Sequence, residues 1–182
     1  MKPAEAEVER AARAGAAARR ALVSRLRAAG LCRDPRVAEA MADALGAQLY
    51  TVEEAAQLDA SQFDLMGLGS GIYFYRHHNE LRRLVATWPK VPPKSFVFST
   101  AGISSLASWW HGSLVRLLRR RGSKVIGEFS CPGFDTFGPL WLIGGLHRGR
   151  PDERDLARAT EFAKGLLSSK CGSVTAGTPS PR

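Results

Sequence analysis

Cysteine is scarce in this chain. Cys32, Cys131 and Cys171 are its three among 182 residues, far apart and without a CxxC pair. Such spacing supports neither a disulfide framework nor a zinc site, and it fits a reducing compartment. Long apolar runs are missing too. None approaches the roughly 20 residues that a membrane-spanning helix needs. Acidic residues are outnumbered, 17 against 26 Lys and Arg, which leaves a net charge of +9. Residues 1–36 hold nine of the bases and four of the acids, so +5 of that charge is concentrated there. A basic chain can meet nucleic acid, anionic membrane or an acidic protein. Here the bias reads as a solvated tail and basic helix ends, and nucleic acid is not an expected partner. With 45% apolar and 24% charged residues, the composition is that of an ordinary globular domain with a sizeable core.

Residues 1–33 form an Ala/Arg-rich extension, expected to be helical or disordered. Residues 1–30 hold eleven alanines and six arginines, and Ala11, Ala18, Leu22, Leu26 and Ala29 fall on a rough helical stripe. The same enrichment suggests an organelle transit peptide, although Glu5, Glu7 and Glu9 count against one. Otherwise a cytoplasmic location is expected. The domain proper spans 34–169, and 170–182 is a Gly/Ser/Thr/Pro tail expected to be disordered.

Within the domain, helices and strands alternate. Asp34 can cap a helix whose first position suits Pro35. Val37, Ala40, Met41, Ala44 and Leu45 then mark its apolar face, and Gly46 ends it. Gln48–Val52 and Asp64–Gly69 read as strands, the second buried on both faces. Leu81, Leu84, Val85 and Trp88 mark a helix that stops before Pro89. Ser95–Thr100 is a third strand. A helix over 105–121 turns Leu106, Trp110, Leu114 and Leu117 inward and ends in arginines that suit its dipole. Lys124–Ser130 is a fourth strand. The last helix opens at Pro151, with Leu156, Ala159, Ala163 and Leu166 as its stripe. Alternating strands and helices predict βαβ units: an α/β fold with a mostly parallel sheet between helices. Ligands of such sheets bind outside the carboxyl ends of the strands, at the switch point. Residues 69–78 and 99–104 qualify.

Three motifs carry a resemblance: "GLGSGIYFYRHHNEL", "FVFSTAGI" and "GEFSCPGFDTFGPLWLIGGLHRGRPDERDL". In this order, over about 36–167, the chain resembles the flavodoxin family and looks most like its short members. The resemblance implies a three-layer flavodoxin-like sandwich and a redox, electron-transfer role with FMN. It also implies that Ser70, Gly71, Ile72, Tyr73 and Phe74 in one loop, and Ser99, Thr100, Ala101 and Gly102 in the other, flank the flavin ring. A flat ring needs close backbone approach, for which Gly69, Gly71 and Gly102 are suited. It needs an aromatic or apolar face and hydrogen bonds at its polar edge. Tyr73 is expected to stack on it and Phe74 to pack beneath the loop. The same residues, taken alone, read as tight turns with core aromatics.

The family pattern fails at the N-terminus, which is therefore atypical. Flavodoxins begin with a central strand and a hydroxyl-rich phosphate loop, and "RALVSRLRAAGLCRD" has neither a β-branched run nor such a loop. Asp34 and Pro35 would occupy the helix start on which a phosphate would rest. FMN binding is thus expected to be weak or lost. Either Ala21–Leu26 is recruited as a surrogate strand, or the strands flanking the gap pair directly, or the chain folds poorly. The alternative function is a flavin-free scaffold that binds partners through its basic surface; for the redox reading the partner would be an acidic redox protein.

Other residues offer less. His77 and His78 cannot face one point on a helix and have no carboxylate cluster beside them. They read as half-exposed surface groups, with no metal. Trp109 and Trp110 point about 100° apart on a helix, so one is core and the other flanks it. Residues 131–151 form a long Gly/Pro-rich loop of the kind that covers a site or packs as an Ω-loop. No Ser-His-Asp or Cys-His triad can be assembled from spacing, and catalytic residues are unassigned.

Overall fold

The computed structural model describes residues 20–24, 35–73, 76–101, 106–133 and 149–168. Helix α1, Arg36–Leu45, buries Val37, Ala38, Met41, Ala42 and Leu45, an inner face at helical spacing. Pro35 stands at its N-cap and contributes no capping side chain, and Asp34 lies outside the described residues. Gly46 closes the helix at φ 58° and donates its N–H to the Asp43 carbonyl, a left-handed conformation that a β-carbon penalises.

Strand β2, Gln48–Tyr50, is shorter than expected because Val52–Ala55 forms a one-turn helix, α2. Its start signal is local. Thr51 Oγ1 accepts from Glu54 N at 3.2 Å, and Thr51 N donates to Glu54 Oε2 at 2.8 Å, a capping box. There follow strand β3 (Leu65–Tyr73), strand β4 (Arg76–His77), helix α3 (Asn79–Thr87), strand β5 (Lys94–Ala101), helix α4 (Ala107–Arg120), strand β6 (Lys124–Pro132) and helix α5 (Glu153–Leu167). On α4, Trp110, Leu114 and Leu118 are buried, whereas Leu106 is exposed and Leu117 only partly covered.

At Arg20–Ser24 the structure corrects the expectation of a helical or disordered extension, and of the three outcomes for the sheet centre it is the surrogate strand that forms, over 20–24. Arg20–Ser24 is not helical but forms β1, a central strand of the sheet. It pairs in parallel with β2 through Ala21–Val23 and with β3 along its whole length. The cause is non-local: a gap between β2 and β3 would leave two rows of backbone donors and acceptors unpaired, and a short run such as Ala21-Leu22-Val23 fills it despite its helical composition. Arg20 adds a 2.9 Å bond from its guanidinium to the Leu45 carbonyl at the end of α1. The rest of the extension, and the tail from 169, lie outside the described residues.

The sheet order is β2-β1-β3-β5-β6, all parallel, with β4 paired antiparallel to the end of β3. Helices cover both faces. On one, Met41 and Leu45 of α1 and Ala159 and Ala163 of α5 pack with Leu65, Phe96, Phe98 and Phe129. On the other, Val52 and Ala55 of α2, Leu81, Leu84 and Val85 of α3 and Leu114 and Leu118 of α4 pack with Met66, Leu68 and Val97. Alternation along β3 and β5 divides the two cores, as a sheet buried on both sides requires.

That alternation changes the reading of the glycine run. Strand β3 does not stop at Gly69: it continues through Gly71, which pairs with Thr100, and turns back at Ile72–Tyr73 onto β4. Gly67 and Gly69 lie beneath the rings of Phe96 and Phe98. A β-carbon there would come within 2.3 Å and 2.2 Å of ring carbons. Gly69 is thus a packing glycine rather than one that lets a ligand approach.

Candidate functional site

The register places three serines in one row across the sheet near its carboxyl edge. Ser70 of β3 is level with Ser99 of β5, and Ser99 with Ser130 of β6. Residues paired in parallel strands point to the same face, here the face covered by α3 and α4. Serine hydroxyls under a helix need partners, and two histidines supply them.

Ser99 Oγ lies 2.8 Å from His111 Nε2 and 3.0 Å from Ser130 Oγ. His111 projects from the inner face of α4, beside Trp110 and one turn before Leu114. Its Nδ1 is 3.1 Å from Glu128 Oε2, one pleat below Ser130 on β6. A carboxylate only accepts, so Nδ1 carries the proton. In a neutral ring Nε2 then accepts from the Ser99 hydroxyl, which accepts in turn from Ser130. Ser99 is 1% and His111 0% exposed, whereas the Glu128 side chain is 32% exposed. The chain therefore runs from the interior to the edge of the sheet.

The second histidine corrects an expectation. His77 is fully buried, not half-exposed, because the β3–β4 hairpin turns it inward opposite Ile72. Its Nδ1 is 2.8 Å from Ser70 Oγ, which also lies 2.8 Å from the Gly71 carbonyl and accepts from His78 N at 3.2 Å. His77 Nε2 is buried and has no hydrogen-bond partner among the described residues. The imidazoles of His77 and His111 lie 5.0 Å apart between centroids, tilted by 31°. Burial, then the neighbouring His111 and Arg82, hold His77 well below the usual histidine range. His78 points elsewhere and caps α3, its Nδ1 accepting from Glu80 N at 3.3 Å.

Among the residues expected at a flavin ring, Ser70, Gly71 and Ile72 of β3 and Ser99, Thr100 and Ala101 of β5 come together at adjacent strand ends. The hydroxyls of Ser70 and Ser99 face the helix layer and bond to the histidines, so toward the crevice these residues present backbone. Tyr73 has a described backbone only, and Phe74, Gly102 and 134–148 of the long loop lie outside the described residues. Trp110 is core and Trp109 is 69% exposed. Three groups of this cluster escaped the sequence reading: His111, Glu128 and Ser130. His111 shares helical spacing with the core residue Leu114, and Glu128 is a lone carboxylate inside an apolar strand. Both signals are visible but weak.

The order Ser99–His111–Glu128 is that of a nucleophilic triad. Ser99, however, is covered and also held by Ser130, so no substrate carbonyl can reach it as it stands. What the arrangement can do is hold or move a proton beneath the carboxyl edge of β3 and β5.

No protein-family model matches the chain. It is 38% identical over 134 residues, 74% of this chain and 89% of the relative, to the uncharacterized protein MJ0298 of Methanocaldococcus jannaschii. Among solved structures it is similar to the flavodoxin, WrbA-like protein of Agrobacterium tumefaciens. The TM-score is 0.56 at 14% identity, over 82% of this chain and 95% of that one. Oxidised Flavodoxin 2 of Bacillus cereus gives a TM-score of 0.55 at 16% identity, over 81% and 97%. By its sequence the chain belongs to the family of the M. jannaschii protein, and its fold is flavodoxin-like.

Proposed function

We propose that the chain is an FMN-associated redox protein that holds the flavin ring better than its phosphate. The observation that carries this reading is the pairing of Ser70–Gly71 with Ser99–Thr100 at the carboxyl ends of two parallel strands beside the β1/β3 switch point, where flavodoxin-like sheets take FMN. The ring end fits the group. Gly71 has no side chain, and Thr100 and Ala101 are small. The buried row beneath is polar and leaves His77 Nε2 without a partner among the described residues. Ser70, Gly71, Ile72, Ser99, Thr100 and Ala101 would line the ring, together with Tyr73, Phe74 and Gly102. When bound, FMN would supply electron transfer, while the chain orients the ring and keeps water from it.

The phosphate end fits less well. Pro35 at the N-cap of α1 has no N–H to offer an anion. An acidic redox protein is the proposed partner; the exposed Arg116, Arg119 and Arg120 of α4 would attract it, although they lie toward the amino edge of the sheet and not at the crevice. If no flavin binds, the scaffold reading takes over, with the same basic surface as its docking face.

Titration of the purified protein with FMN and with riboflavin tests the reading. Hydrogen bonds to a charged phosphate are worth about 1.5–3 kcal/mol each, so without them the two Kd values should agree within about tenfold. Tight FMN with much weaker riboflavin would show a held phosphate. Failure of both to bind would remove the flavin. Tyr73→Ala should weaken binding without unfolding the domain, since an offset aromatic stack adds about 0.5–1.5 kcal/mol. Phe74→Ala should mainly lower Tm.

A further inference from the structure

We infer that Ser99, His111 and Glu128 form a proton acceptor coupled to the crevice at the ends of β3 and β5. When negative charge arrives there, His111 takes a proton at Nε2 while its Nδ1–H stays on Glu128. The inference rests on the flavin reading above and adds what the protein does when that flavin is reduced.

The two buried imidazoles are built differently. His111 has a carboxylate at 3.1 Å on one nitrogen and a hydroxyl at 2.8 Å on the other. A serine hydroxyl donates or accepts with equal ease. With His111 neutral, Ser99 donates to Nε2. With His111 protonated, Nε2–H donates to Ser99 Oγ, and the Ser99 hydrogen turns toward Ser130 Oγ, 3.0 Å away. These bonds survive the proton, and Glu128 supplies the opposite charge. Its partial exposure gives that charge a route to solvent. His77 lacks all of this. Its Nδ1 meets only the neutral Ser70, and its Nε2 finds no partner among the described residues. The groups facing the pair are Glu128 from β6, Ser99 from β5, Ser70 from β3 and Arg82 from α3. His111 has the Glu128 carboxylate at 3.1 Å, whereas burial and the neighbouring Arg82 disfavour a charge on His77, so a proton arriving at the pair settles on His111.

The consequence concerns stoichiometry. If bound here, FMN would supply a two-electron acceptor that takes up one proton of its own and carries one negative charge when reduced. That charge would be matched by a second proton, taken from solvent at His111. Reduction at this site would therefore be coupled to proton uptake by the protein.

Two measurements test this. The first needs no flavin: imidazole nitrogen NMR of the apo protein should show neutral His111 with its proton on Nδ1. In Glu128→Gln that Nδ1 preference should be weakened, since the carboxylate charge is gone and only an amide oxygen is left to accept. The second is proton uptake during electrochemical reduction of the FMN-loaded protein in weak buffer. It should be about two protons per flavin for the parent and about one for Glu128→Gln, with Ser99→Ala as a second variant should the first fold poorly. Equal uptake in parent and variants, or His111 with its proton on Nε2, overturns the proposal. Failure of FMN to bind overturns the flavin reading and the coupling with it, and the apo spectrum separates that outcome from a failed proton acceptor.

Discussion

A β-carbon added at Gly69 would lie 2.2 Å from the Phe98 ring, and Phe98 is buried in the core that contains residues of α1 and α5. Gly69→Ala should therefore destabilise the domain by about 1–3 kcal/mol, the usual cost of overpacking a filled core. Urea unfolding of Gly69→Ala, of Phe98→Leu and of the double variant checks the cause. The smaller side chain should recover part of the loss, and strict additivity would mean that the ring is not responsible. His77 gives a second prediction at this scale. Burial, His111 and Arg82 depress its protonation in the folded state, whereas the unfolded chain takes a proton as pH falls below about 6.5. The folded state is thus fully favoured above that pH. It loses up to about 1.4 kcal/mol per pH unit below it, until the native imidazole protonates as well. Unfolding followed from about pH 7.5 down to about pH 5 should show this loss in the parent and a flatter slope in His77→Leu. The same slope in both would place the acid sensitivity elsewhere.

Among the elements, α5 shows how much a helix start can depend on one buried charge. Asp152 caps the helix by accepting from Asp155 N at 3.0 Å, and Asp155 returns the bond from Asp152 N at 3.1 Å. Asp155 is 1% exposed, and Arg150 reaches both carboxylates, at 2.8 Å to Asp152 and 3.0 Å to Asp155. Arg150→Ala would leave the buried Asp155 with only the more distant Arg158, 4.0 Å away, as its cation among the described residues, and should cost about 1.5–3 kcal/mol, the worth of a charged hydrogen bond. Glu153→Ala, on the exposed side of the same turn, should stay within about 0.5 kcal/mol. Chemical denaturation of the two variants makes the comparison. This helix was legible in the sequence because its stripe is local, although it begins at Glu153, capped by Asp152, and not at Pro151. So was α1, down to Gly46. The short β4 and the one-turn α2 were not, since two to four residues carry no period to read.

For the molecule as a whole, β1 is the element on which the sheet depends. Its backbone is paired on both sides, to β2 and to β3. Val23→Pro would remove a donor and force a clash in an interior strand, where proline is not tolerated. Loss of a cooperative thermal transition is the expected outcome, followed by far-UV circular dichroism. A transition that survives with a small shift would mean that β1 is dispensable. The motifs in the sequence led to the ring side of the site, Ser70 and Ser99 included, but not to His111, Glu128 or Ser130. Spacing along a chain says which face of an element a residue occupies. It does not say which residue of another strand lies level with it. By itself the sequence determined the alternation of strands and helices, the family likeness and the two stretches that meet at the sheet edge. Only the tertiary structure decided that Ala21-Leu22-Val23 is a strand, that Gly67 and Gly69 lie under phenylalanine rings, and that three serines line up beneath two histidines. The physical reason is that backbone pairing and ring packing are settled between segments tens of residues apart, where register, not local preference, has the larger free energy.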